Sequence, residues 1–489
     1  MHLHDNHTGA MALEKVALAS RVSGEVGVSP RSRSVIIHHF AIKSPFFMSL
    51  GACRLKRSIL VLMVGLCACL SFIGCSSTGK KSPPSGLPHR VLASQGVTST
   101  SSFGGLVIID GNYDILRRLP PLGAGSNPGL MAVSPTRNIA AAFDSSSNTL
   151  FAVDTTREAA LGNVHLHGPT SSMVIPTSTP FGYAAVPSAT INGFSFTGAL
   201  EVMNFAGGGL TTSIAVTNAQ TVISNSTGTQ ILVFSNDSNS ITALTPGAAV
   251  PPVDTSCLTN PPNAVCTIVP GFDRPVYGII NGNTAYILNC GPQCGGMQAS
   301  VMVFDLPSLT ITQTIPVDAA TWALLNGSTL YVAGTSPSPT NHACTGQTTA
   351  ATICGRLDIV DLSSGTVAGT AVITDGYHWR MDLTTDGQLF IGSHDCTNIG
   401  NVNNPSGEVR GCLSIYRTAD KSVFIPPDNG DVNGLQGFTT RLIEYVAEGG
   451  ALRVYDIPQD TLHINADLLP QGTIDIVGYV GDVKAIDFF

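Results

Sequence analysis

The sequence predicts an all-β chain, a single β-propeller of about eight four-stranded blades closed into a ring by strands from both termini, and three observations carry that reading. The stretch "NGSTLYVAGT" (Asn326–Thr335) follows "NGNTAYILNC" (Asn281–Cys290) at an interval of 45 residues, and each is an Asn-Gly turn running into an apolar strand. Around both stretches lies the same larger unit: a short apolar strand, a turn, a second strand, a variable loop and then a hairpin with Asp near its start. Only 11% of the residues are charged and 43% are hydrophobic, a balance that suits short strands joined by uncharged turns and does not suit disorder.

Residues 1–47 show no coherent pattern, and Met48 begins a segment of ordinary secretory layout; 1–47 is therefore read as a disordered, misassigned upstream extension. In 48–74 a basic cluster (Arg54, Lys56, Arg57) precedes an apolar run of 15 residues, Ile59 to Ile73. A spanning helix needs roughly 20, so the run reads as a signal peptide. "SFIGC" resembles the lipobox of bacterial lipoproteins, with Phe72 where that motif usually has Leu. The resemblance implies that Cys75 is lipidated and becomes the N-terminus, which would anchor the chain to a membrane of the cell envelope, on the periplasmic side of the outer membrane or at the cell surface. Residues 75–88, rich in Lys, Ser and Pro, form a flexible tether, and 89–489 is the propeller.

The propeller opens with "RVLASQG", "GLVIID" and "DILRRLPPL", the second to fourth strands of a blade with no first strand. Next come "LMAVS", "NIAAAFD" and "NTLFAVD"; then "SMVIP", "GYAAVP", "GALEVMNF" and "LTTSIAV"; then "TVIS", "QILVFS" and "SITALT". The two clearest copies follow: "VYGII", "NGNTAYILNC", "ASVMVFDL", "LTITQTIPV", and "TWALL", "NGSTLYVAGT", "GRLDIVDL", "SGTVAGTAVI". "HWRMDL", "QLFIGSH", "CLSIYR", "SVFIPP" and "LQGFTT", "RLIEYVAE", "ALRVYDI" complete the series, and the final "DVKAIDFF" supplies the missing first strand. Closure by both termini removes the sheet edges that an open array would expose. The ring has seven blades instead if the copy around 219–269 merges with a neighbour.

"LYVAGT", "RLDIVDLSSGTVAGTAVI" and "VMVFDLPSLTITQTIPV" resemble the YVTN-type β-propeller repeat, over roughly residues 89–489. That resemblance implies an exported surface or periplasmic propeller, in a group whose relatives include sugar-lactone hydrolases. The PQQ-type blade is a poorer match, because only Trp322 and Trp379 exist where each blade would want its own tryptophan.

From Cys75 onward 16 Lys and Arg stand against 29 Asp and Glu, a net charge of −13, and after Lys81 the only lysines are Lys421 and Lys484. A nucleic-acid partner is thereby excluded, since phosphate binding rests on clustered cations. Eight cysteines in the exported body fall into four close pairs: Cys257 with Cys266, Cys290 with Cys294, Cys344 with Cys354, and Cys396 with Cys412. Nearest-neighbour disulfides would staple single loops and leave the order of blades untouched. "CGPQC" has a three-residue spacing where a redox pair usually has two.

In a four-stranded meander the second-to-third and blade-to-blade loops share one face, and the long insertions Pro187–Gly198, Gly291–Gln298, Ser336–Gly355 and Asp395–Gly411 fall there. Turns on the opposite face, such as Asn281-Gly282 and Asn326-Gly327, are minimal, so protein or glycan partners are expected on the loop-rich face. The densest polar cluster is "DGYHWRMD" followed by "IGSHDCTN". Strand alternation puts His378, Arg380 and Asp382 on one side. His378, His394 and Asp395 are candidate metal ligands or acid–base groups and Arg380 a candidate anion holder, against the plainer reading of hydrogen-bonded packing residues. "HLH" (His165–His167) reads first as surface, and Glu201, Glu444 and Glu448 stand out because Glu is scarce. No phosphate loop, nucleophile elbow or zinc-protease motif is present, and no cofactor or firm metal site is implied. Two functions follow: a non-catalytic binding or scaffold module, or a hydrolase like the lactone-opening propellers. The hydrolase requires acid and His groups from at least three blades to converge at the central channel.

Overall fold

The computed structural model describes residues 83–489 apart from 99–103, 178, 246–252, 260–264, 337–353, 397–410, 427–429, 439, 464–467, 470–471 and 488–489. The described residues form eight four-stranded antiparallel blades arranged as a β-propeller. Each blade is a meander whose first strand is innermost. Blade 5 (Pro275–Asn281, Thr284–Asn289, Ser300–Asp305, Thr310–Pro316) and blade 6 (Trp322–Asn326, Thr329–Ser336, Cys354–Asp361, Thr366–Ile373) are the most regular. Their repeated Asn-Gly has a backbone cause: Gly282 and Gly327 both adopt φ +60°, the left-handed region that a side chain disfavours, in the tight turn between first and second strands.

Ring closure follows the sequence reading. Blade 1 takes its innermost strand, Tyr479–Ala485, from the C-terminus and pairs it with Arg90–Gly96, followed by Gly105–Asp110 and Ile115–Leu116. A buried clasp fixes the junction. The Arg90 guanidinium donates to Asp487 at 2.8 Å, to Glu158 of blade 2 at 2.7 Å and to the Thr155 carbonyl at 2.6 Å. The segment 219–270 remains a separate blade 4 (Thr221–Ser224, Ile231–Phe234, Ser240–Leu244, Cys266–Pro270), which settles the count at eight.

The core lies between blades, since a sheet face is covered only by its neighbour. Ile139, Phe143 and Leu150 of blade 2 pack on Ala184, Val186 and Met203 of blade 3, and like clusters recur around the ring. Disulfides join Cys257 to Cys266, Cys290 to Cys294 and Cys396 to Cys412; the expected Cys344–Cys354 bond lies outside the described residues. One departure from the expected layout concerns the first of these bonds. The Cys257–Cys266 insertion falls between the third and fourth strands of blade 4, so it belongs to the face of short turns, where Val253–Asp254 adds in parallel to the outermost strand of blade 3.

A recurrent irregularity shapes the axis. In blades 1, 2, 5, 7 and 8 the innermost strand carries an extra residue near its start, so the register with the second strand shifts: at Gly481–Asp482, Gly129–Leu130, Val276, Trp379 and Asn433 respectively. A bulge bends its strand and re-aims side chains, and here the re-aimed positions border the central channel.

Candidate functional site: the mouth of the axial channel

Because all innermost strands run the same way, their first residues open on the loop-rich face. Trp322 begins the innermost strand of blade 6, and the Tyr277 ring of blade 5 stacks on it with centroids 3.8 Å apart and planes 16° from parallel. Trp379, the bulged residue of blade 7, donates its Nε1–H to the Val432 carbonyl of blade 8 at 2.7 Å. The next residue, Arg380, lays its guanidinium on the Trp379 ring at 3.8 Å and comes within 5.8 Å of the Trp322 ring.

Arg380 reaches across the axis. Its Nε donates to the Asn433 carbonyl of blade 8 at 3.2 Å and its Nη1 to the Trp379 carbonyl at 3.0 Å, while Nη2 comes to 3.9 Å from Asp482 Oδ2 of blade 1. A side chain of blade 7 that passes blade 8 to approach blade 1 does so through the channel. Asp482 is fully buried and takes stronger donors: the Met131 N–H of blade 2 at 2.9 Å, and the Val483 N–H and Lys484 Nζ at 2.8 Å each. Burial pulls the Arg380 pKa down, opposed by Asp482, and pushes the Tyr277 phenol up to about 12. Tyr277 is therefore a neutral hydroxyl donor at any ordinary pH. Asn433 Nδ2 donates to the Tyr479 hydroxyl at 2.9 Å, and Tyr479 and Tyr377 stay 44% and 40% exposed, giving the mouth an aromatic rim.

Toward the opposite end, the carboxyls of Asp382 and Glu444 meet at the junction of blades 7 and 8. Asp382 accepts the Gly437 N–H, and Gly437 is hemmed in so closely that a Cβ there would stand 2.5 Å from Glu444 Oε2 and 3.1 Å from Asp382 Oδ2. Glu444 has no exposure, and among the described residues no well-formed hydrogen bond reaches either of its oxygens. Burial, then the neighbouring Asp382, pushes the Glu444 pKa well up; burial also raises Asp382. Two carboxyls so placed cannot both ionise cheaply, and a shared proton supplies the donor that Glu444 lacks.

Of the residues singled out from sequence, His394 comes within electrostatic range of Arg380 and Asp395, while the others lie apart. His378 is fully buried and its Nε2 bonds the Thr374 carbonyl at 2.9 Å, with burial pulling its pKa down to about 4. The extra residue Trp379 breaks the alternation between His378 and Arg380, so the two do not share a side as strict alternation would have it. His394 packs edge-on against Trp379 at 4.1 Å, and Asp395 is exposed, donating its N–H to Asp431. Glu448 is bound within blade 8 by the Tyr455 hydroxyl at 2.7 Å and the Arg453 guanidinium at 3.2 Å. Glu201 lies in outer blade 3, where its carboxylate holds His167 Nδ1 at 2.9 Å and the Ser213 hydroxyl at 2.6 Å. Among the described residues no three His, Cys, Asp or Glu side chains are placed to share a metal ion. The channel-mouth residues Tyr277, Trp322, Trp379, Asn433 and Asp482 were not legible as a site; the available signal was that the chain's two tryptophans open the innermost strands of adjacent blades. A separate cleft of about 260 Å³ between blades 4 and 5, bordered by Gln230, Leu232, Thr245 and Leu306, has no ionisable group among the described residues that line it.

No family model matches the chain, and no curated protein matches it in sequence. Two solved structures match in fold at a TM-score of 0.50. The Dos1 propeller is 9% identical with a TM-score of 0.50, over 73% of this chain and 86% of that one. The dihydro-heme d1 dehydrogenase NirN, in complex with DHE, is 13% identical with a TM-score of 0.50, over 82% and 75%. The Pseudomonas aeruginosa periplasmic gluconolactonase PpgL is 12% identical with a TM-score of 0.42, over 82% and 99%. At these identities the likeness to the first two is one of β-propeller fold alone.

Proposed function

We propose that this chain is a lipid-anchored propeller of the cell envelope, of the YVTN type, that acts as a non-catalytic binding module through its loop-rich face, with the channel mouth as the centre of its binding surface. One observation carries the reading: two tryptophans, a stacked tyrosine and a largely buried arginine from three adjacent blades converge on the loop-rich side, whereas the histidines that a hydrolase would need are absorbed into packing. Aromatic and Arg side chains held by a rigid scaffold are the residue types that dominate binding energy. They suit stacking on a sugar ring or on a partner's side chain equally.

The test is a glycan and purified-protein binding screen with the full chain in detergent. Binding should fall at least tenfold in Trp322→Ala while circular dichroism is unchanged. Lactone hydrolysis abolished by changes at His394 or Asp395 would overturn the reading. Anchoring is tested separately by Cys75→Ala, which should move the chain from the membrane to the soluble fraction, since each buried methylene of an acyl chain contributes about 0.8 kcal/mol.

A further inference from the structure

We infer that Arg380 and Tyr277 form a receptor for a carboxylate borne on a sugar ring, so that the ligand at the channel mouth is an acidic glycan such as one containing a uronic acid; this rests on the binding reading above. Arg380 is the cation laid against the mouth tryptophans, and its hydrogen bonds are unevenly used. Two of its nitrogens are fixed by carbonyls at 3.2 and 3.0 Å, which locks the guanidinium plane on the Trp379 ring. Among the described residues the third, Nη2, faces Asp482 at 3.9 Å, beyond hydrogen-bond reach. Asp482 does not close that gap because three better-placed donors already hold its oxygens. The result is a preorganised guanidinium edge, 13% exposed, facing the axis with donor capacity left over.

A planar fork with free N–H groups selects carboxylate over a neutral hydroxyl, and a partly desolvated site makes that preference larger. The Tyr277 phenol lies within electrostatic range of Arg380 and adds a neutral donor, while Tyr377, 40% exposed at the start of the strand that carries Arg380, offers a ring for the body of a sugar. The mature chain's charge of −13 adds a constraint, because its field repels densely charged polyanions. A ligand with one carboxylate on an otherwise neutral oligosaccharide meets both conditions.

The chain has 2 tryptophans and both sit in this cluster, so its intrinsic fluorescence reports on the site directly. The full chain in detergent is titrated with a glucuronic-acid-terminated disaccharide and with the same disaccharide after reduction of its carboxyl to the alcohol. The acid should bind roughly ten- to a hundredfold more tightly, the usual worth of a charge-assisted hydrogen bond. Arg380→Gln should erase that preference. Tyr277→Phe, which removes a single oxygen and keeps the stacked ring, should weaken the acid several-fold and the neutral sugar little, so the inference stays testable even if the Arg380 variant fails to fold. Equal binding of acid and alcohol, lost in Trp322→Ala, overturns the carboxylate receptor and leaves the binding module standing. No fluorescence change with either sugar overturns the receptor as well.

Discussion

Asp358, in the third strand of blade 6, offers a quantitative test of how this fold handles buried charge. Its carboxyl is 1% exposed and accepts the Asp318 N–H at 2.7 Å, with the Asp318 carboxyl beside it and the Arg356 guanidinium Nε 4.0 Å from Asp318 Oδ2. Burial, then the charge of Asp318, pushes its pKa from 3.8 up to about 7. A carboxyl whose folded pKa is raised gives stability that is complete below the unfolded value and lost as pH climbs toward the folded one. The shift of roughly three units, at 1.36 kcal/mol each, corresponds to about 4 kcal/mol lost between pH 4 and pH 8. Asp358→Asn keeps the acceptor for the Asp318 N–H and puts an N–H donor beside the Asp318 carboxylate, so that loss should vanish. The compact unit Lys80–Phe489, at roughly 2.1 cal/mol/K per residue, has an unfolding entropy near 0.9 kcal/mol/K, which converts the gain to about 5 °C. Calorimetry should find the variant melting about 5 °C above wild type at pH 8 and level with it at pH 4. A gap that is the same at both pH values would refute the argument, because a packing effect has no pH dependence.

Three other outcomes follow from particular contacts. Glu444→Gln should raise the urea midpoint above neutral pH and leave it unchanged near pH 4, because the amide supplies a donor to Asp382 without the second charge that burial and Asp382 oppose. Arg90→Ala leaves Glu158 and Asp487 without their shared cation and should cost about 3–5 kcal/mol, read by denaturation, with early proteolysis of the N-terminal strand. Replacing Cys290 and Cys294 by Ser should cost about 2 kcal/mol and speed amide exchange at Thr335, whose N–H is held at 2.8 Å by Gln293 inside the bridged turn.

Much of the fold was legible because a blade is a local object. Alternating apolar strands and Asn-Gly turns recur at a fixed interval, and a first strand missing at one end reappears at the other; the structure pairs Tyr479–Ala485 with Arg90–Gly96 accordingly. The site was less legible because it depends on departures from that regularity. One bulge at Trp379 moves Arg380 off the side of the strand occupied by His378, and a bulge leaves no mark in a hydrophobic pattern that already tolerates Gly, Asn and Trp at the position. The pairing of Asp382 with Glu444, and of Glu201 with His167, joins residues 62 and 34 apart in sequence, which strand periodicity does not report.

The two faces of the ring are held by different means, and that difference bears on where ligand selectivity can arise. On the face of short turns, ion pairs bridge successive blades: Arg417 to Asp460 joins blade 7 to 8, Arg441 to Asp114 joins 8 to 1, and Arg90 to Glu158 joins 1 to 2. Each places a carboxylate of very low exposure in a tight turn, so the ring is closed by geometry that tolerates little variation. On the loop-rich face the described residues are joined by uncharged donors, Gln293 to Thr335 and Gly376, Thr335 to Gly376 and the Asp395 N–H to Asp431, with local disulfides in blades 5 and 7. Of the mouth residues, Trp379, Arg380 and Asp482 also bond across blades, whereas Trp322 contributes ring stacking and no side-chain hydrogen bond among the described residues. If that division holds, Trp322→Ala should shift the unfolding midpoint far less than Arg90→Ala while removing most of the binding; a Trp322→Ala variant that unfolds as readily as Arg90→Ala would place the tryptophans among the closure contacts instead.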